Sequence, residues 1–205
     1  MIDDLDRTLT MLLQQSLPAD ILAQAQITFA TPDEAFPPQA VTLPAIDLFL
    51  YDIHENRDLR SNEWLVERDA TGMFTREPAP VRVDCSYLVT AWPSASSTTP
   101  ALDEHHLLGA TIIALLRYPT LPAAVLQGTL AAASIAPPTA TLQQRQLQGT
   151  AEFWQALGGR PRAGFDYTVT IELQPVEPTT IGPPVTDKRL VFQVGSSLDE
   201  LESAS

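Results

Sequence analysis

Residues Ile46 to Ile53 make a run that is apolar on both sides of an extended chain, with Ile46, Leu48 and Leu50 on one side and Phe49, Tyr51 and Ile53 on the other. A strand of this kind needs cover above and below, and both of its edges are expected to be paired, as in an interior strand. It ends in Glu55, Asn56, Arg57, Asp58 and Arg60, a polar cluster at the tip of a rigid element, where scaffolds present binding residues. A solvated loop with internal ion pairs is the other reading of these residues.

The chain on either side supplies the cover. Ile2, Leu5, Leu9, Leu12, Leu13 and Leu17 repeat at helical spacing, with Asp3 and Asp4 at the end where the helix dipole favours them and Pro18 as a stop. A short strand is expected over Ile27 to Ala30, followed by proline-rich extended chain from Pro32 to Pro44. Trp64 to Val66 and Met73 to Thr75 flank the Asp69-Ala70-Thr71-Gly72 turn and read as a hairpin. Val81 to Ala91 alternates as a half-buried strand, with Cys85 on its apolar side as a structural thiol. The run from Leu107 to Leu116 is apolar around much of a helix and is expected to be the most buried one. Glu152 to Leu157 forms a short helix or turn stopped by Gly158, and Phe165 to Leu173 alternates as a strand with one packed and one wet face. The expected fold is α+β: a largely antiparallel sheet of four to five strands, with two main helices on one face.

The expected organisation is one domain over residues 1–174, a proline-rich linker and arm strand over 175–194, and an acidic disordered tail over 195–205. The arm strand carries Leu190, Phe192 and Val194. An N-terminus with Asp3, Asp4 and Asp6 does not suit a signal peptide, and no apolar run is long enough to span a bilayer, so synthesis in the cytoplasm without membrane insertion is expected.

Net charge is −13, from 25 acidic against 12 basic residues, and Lys188 is the only lysine among the bases. That balance disfavours nucleic acid, while arginines suit bidentate pairing with carboxylates of protein partners. His105 and His106 invite a metal reading, but neighbours on a helix diverge by about 100° and do not face one ion. A phosphate-cradling glycine loop, a nucleophile elbow and a paired-cysteine motif are all missing, so neither catalysis nor a cofactor is expected.

Several short motifs in a fixed order carry a resemblance. They are the strand Leu48 to Tyr51, the loop Glu55 to Arg60, Pro78 and Pro80 ahead of a strand ending in Tyr87 to Ala91, the helical His106 to Gly109, and Phe153 to Gly158. Together they resemble the tube-terminator, or cap, proteins of phage-tail-like extracellular contractile injection systems, over residues 1–194. Asp47 departs from that pattern, which has Asn. The resemblance implies a non-enzymatic protein with a tail-terminator-like fold that forms a homohexameric ring on the distal end of the inner tube. Such a ring ends tube growth, joins tube to sheath and leaves the cell as part of a particle. The interface expected on this reading comprises Glu55, Asn56, Arg57, Arg60 and Arg76, with Leu190, Phe192 and Val194 of the arm. A baseplate-side ring adaptor and a metal-dependent enzyme using the His105 region are the alternatives.

Overall fold

A computed structural model of the protein describes residues 1–68, 72–133, 135–142 and 150–182. It is organised as two units, one of residues 1–61 with 80–175 and a smaller one of residues 62–79 with the described residues from 176 onward.

The leucine spacing near the start produces helix α1 (Ile2–Ser16), whose Leu5, Leu9, Leu12 and Leu13 are all buried. Each removes an apolar side chain from water, which stabilises the fold by about 1.5–3 kcal/mol. Pro18 ends the helix, as expected, and then opens one further turn, α2 (Ala19–Leu22), that periodicity alone does not reveal.

In the large unit, β1 (Gln26–Thr28) and the organising strand β2 (Ala45–Glu55) come first. After the smaller unit's β3 (Trp64–Arg68) and β4 (Phe74–Pro78), the chain returns through β5 (Val81–Trp92) and helix α3 (Pro100–Leu116). The edge strand β6 (Thr139–Thr141), helix α4 (Thr150–Ala156) and β7 (Gly164–Leu173) complete this unit, and β8 (Thr179–Gly182) belongs to the smaller one. The main sheet has the order β1-β2-β5-β7-β6, antiparallel except for the β1–β2 pair. The expected α+β class and the mainly antiparallel sheet are therefore what the chain adopts.

Register sorts the side chains into two faces. Leu48, Val89 and Phe165 stand in one row and Leu50, Tyr87 and Tyr167 in the next, and this face forms the core with α1 and α3. Asp6 of α1 accepts a 2.8 Å hydrogen bond from the Tyr87 hydroxyl, fixing the helix to the centre of the sheet. The opposite face carries Phe49, Leu88 and Asp166 in one row, and α4 belongs to this side, with Trp154 fully buried and Phe153 edge-on to Tyr51. Asp166, expected on a wet face, is consequently buried.

Two further expectations are corrected. Among the described residues strand β2 is paired on both edges only over Ala45–Asp47, because β1 is three residues long, and Ile53 toward its far end is exposed. Helix α3 is not buried all round, since Leu107, Leu108 and Leu115 face the core while Leu102, Ile113 and Leu116 face outward. The three-residue β6 is too short to show an alternation in the sequence.

Candidate protein-interaction site

The loop after β2 is built from the sheet outward. Asn56 closes it in three ways: its backbone N–H donates to the Arg82 carbonyl at 2.9 Å, its Oδ1 accepts from the Leu59 N–H at 3.2 Å, and its Nδ2 donates to both oxygens of Asp84 at 3.2 and 3.0 Å. A single 3-10 turn over Arg57–Leu59 results. Asp84 also accepts from the Thr170 hydroxyl at 2.6 Å, so the loop is tied through β5 to β7. His54 lies between two carboxylates, with Nδ1 2.7 Å from Asp52 and Nε2 3.7 Å from Asp84.

On this base half-buried Glu55 and exposed Arg60 form a surface ion pair at 3.5 Å, and Arg57 is exposed beside Asp58. The structure thus brings Glu55, Asn56, Arg57 and Arg60 together on one rim. A surface pair of this kind contributes little to stability, about 0–1 kcal/mol. The arginines can therefore exchange partners at small cost. Leu190, Phe192 and Val194 lie outside the described residues.

Arg76 sits elsewhere, in the three-stranded sheet β3-β4-β8 of the smaller unit. The expected hairpin is present, with Trp64 opposite Pro78, Val66 opposite Arg76 and Arg68 opposite Phe74, and Gly72 takes the left-handed backbone (φ 88°) that its turn requires. The Arg76 guanidinium lies 4.3 Å from the centre of the Trp64 ring, and that of Arg68 lies 5.9 Å from Phe74. Arg76 is among the interface residues expected from the sequence, whereas its companions Trp64 and Arg68 are not. The alternation of Trp64, Val66 and Arg68 carries that signal once the register is known.

Asp47, fully buried on β2, has no hydrogen-bond partner for either carboxyl oxygen among the described residues. Desolvation pushes its pKa up to about 8; the backbone of Ala30 works in the opposite direction without reaching hydrogen-bonding geometry. At neutral pH the group is mostly protonated and can donate as well as accept. Cys85 is buried, and burial pushes its thiol up to about 11, away from nucleophilic chemistry.

Among the described residues no three His, Cys, Asp or Glu side chains are grouped to share an ion. No helix among them is long and apolar enough to cross a membrane. The surfaces on offer are an arginine-bearing rim, an aromatic and arginine-bearing sheet face, and the exposed apolar positions of α3.

Comparison with known proteins bears on these surfaces. The model of the Pvc16 N-terminal domain matches residues 4–187. Among solved structures, the chain is similar to a PVC sheath/tube terminator in the extended state of an extracellular contractile injection system, with 26% identity and a TM-score of 0.69 over 96% of this chain. It is also similar to the tube-terminating cap of the anti-feeding prophage, with 24% identity and a TM-score of 0.65 over 94% of this chain, a likeness of fold. The chain spans 65% and 61% of the length of those two proteins. A search of curated proteins gives no significant match. The resemblance drawn from the short motifs agrees with the family match and with the fold of both structures.

Proposed function

The chain belongs to the Pvc16 N-terminal domain family, and from that premise we propose that it is a structural terminator of a contractile injection system. It forms a hexameric ring on the distal end of the inner tube, ends tube growth and connects the tube to the sheath. No reaction is catalysed, and neither nucleic acid nor membrane insertion has a part. The protein is made in the cytoplasm and leaves with the particle. Residues 1–174 act as the ring-forming body, and the segment 175–194, whose β8 pairs with the chain's own β4, continues as an arm toward a neighbouring subunit or the sheath. The observation that carries this reading is the likeness to the sheath/tube terminator over nearly the whole chain. The rim of Glu55, Asn56, Arg57 and Arg60 supports it, because a rigidly held loop offers exchangeable arginines to carboxylates of the tube or of the next subunit.

The test is to add the protein to growing tubes and to measure tube length and the labelled end by electron microscopy. Short tubes labelled at the distal end are expected, and the double variant Arg57→Glu, Arg60→Glu should lose the effect while its melting curve stays put. Tubes that grow to full length with wild-type protein present would exclude the terminator, and label at the baseplate end would favour the adaptor instead.

A further inference from the structure

None of the strand residues of the sheet β3-β4-β8 is buried. Among the described residues no apolar layer packs on these three short strands, and such cover is what small antiparallel sheets need to persist in water. The register places Trp64, Val66, Arg68, Phe74, Arg76 and Pro78 on one face, and Leu65, Glu67, Thr75 and Glu77 on the other. On the first face Trp64 and Val66 are each 54% exposed. Each arginine lies over an aromatic ring and has no carboxylate partner among the described residues. A guanidinium placed over a ring can still present N–H groups to a carboxylate. Tryptophan and arginine are also the residues in which interface energy concentrates.

The face is cationic, whereas the chain as a whole has a formal charge of −13. Two such faces cannot meet each other across a two-fold axis, since that would oppose arginine with arginine. They can meet carboxylates elsewhere on the chain, which carries 25 acidic against 12 basic residues. We propose that the Trp64–Arg76 face docks on an acidic surface of a second copy of this chain, so that copies join head to tail. Unlike surfaces joined in this way generate closed rings or open filaments and not two-fold dimers. The proposal rests on the terminator reading and supplies its ring with one of the two unlike surfaces that every subunit needs.

The full chain with a benzophenone photo-cross-linking side chain at Val66, and separately the variant Arg68→Glu, Arg76→Glu, provide the test. The expected result is light-induced covalent oligomers of this chain, in which the cross-linked peptide contains aspartate or glutamate. Mass photometry should show the wild type passing from monomer to species larger than dimers. The charge-reversed variant should need a concentration higher by a factor on the order of 30–100. Circular dichroism is recorded alongside, and Arg68→Lys, Arg76→Lys keeps the charge if the reversed variant loses its fold. An unshifted association curve for a folded reversed variant overturns the proposal, as do a wild type that stays monomeric at all concentrations and cross-links that, with tube protein present, reach only the tube protein. Wild-type protein that fails to stop tube growth overturns the terminator reading instead. A reversed variant that assembles and caps tubes normally overturns this inference alone.

Discussion

Single residues in this chain show how environment sets chemistry. Asp47 is an acid by sequence and a mostly neutral carboxyl by placement, because burial on β2 penalises its charged form. Its folded pKa, about 8, lies above the 3.8 it has in water, so the folded state holds a proton that the unfolded state releases between those values. Stability is therefore fullest below about pH 4 as far as this group is concerned, declines as pH rises, and levels off above about pH 8. The slope approaches 1.4 kcal/mol per pH unit at most. Asp47→Asn should flatten it: denaturant melts at pH 5 and pH 8 should differ in the wild type by more than in the variant. Equal differences would mean that Asp47 is solvated or paired. Arg162 is a second case, stacked 4.0 Å from the Trp92 ring centre and 2.5 Å from Glu104. It ties the end of β5 to the start of α3, and no pattern in the sequence connects positions so far apart.

Among elements, β8 changes how the C-terminal segment is understood. Thr179 and Thr180 pair with Arg76 and Thr75, and Gly182 pairs with Phe74, so part of the proline-bracketed stretch is sheet. A chain ended after Pro175 would lose that strand and open the outer edge of β4. Its effect should stay within the smaller unit. The melting temperature of the larger unit should move by less than about 3 °C, since a change of 1 kcal/mol shifts a domain of this size by about 2–4 °C. Amide hydrogens of β4 should exchange faster. A collapse of the main transition would instead show that the segment after Pro175 carries part of the main core. Helix α3 makes the complementary point. Its apolar run is too wide for one buried face, and Leu102, Ile113 and Leu116 remain on the outside.

For the whole molecule, charge sets the conditions of assembly. Each copy carries a formal charge of −13, and the proposed ring brings several copies together. Their mutual repulsion acts over a Debye length, about 10 Å at 0.1 M salt and about 30 Å at 0.01 M, whereas an arginine–carboxylate contact acts within 4 Å and is screened far less. Association measured by light scattering should accordingly pass through an optimum at moderate salt. A monotonic fall with added salt would mean that attraction dominates at long range as well, and would shift weight to a more basic partner.

The sequence by itself determined the class of fold, because the alternations in β2, β5 and β7 and the leucine spacing of α1 are local patterns imposed by backbone periods of two and 3.6 residues. It also contained the order of short motifs that pointed to terminator proteins, and it named Asn56, Arg57 and Arg60 as a unit because they are adjacent. Only the tertiary structure decided what depends on residues far apart in the chain. The clamp of Asn56 on Asp84, the neutrality of Asp47 and the alignment of Arg76 with Trp64 and of Arg68 with Phe74 all depend on strand register and burial. Those are cooperative consequences of packing, and a slip of one residue would turn every one of these side chains to the other face.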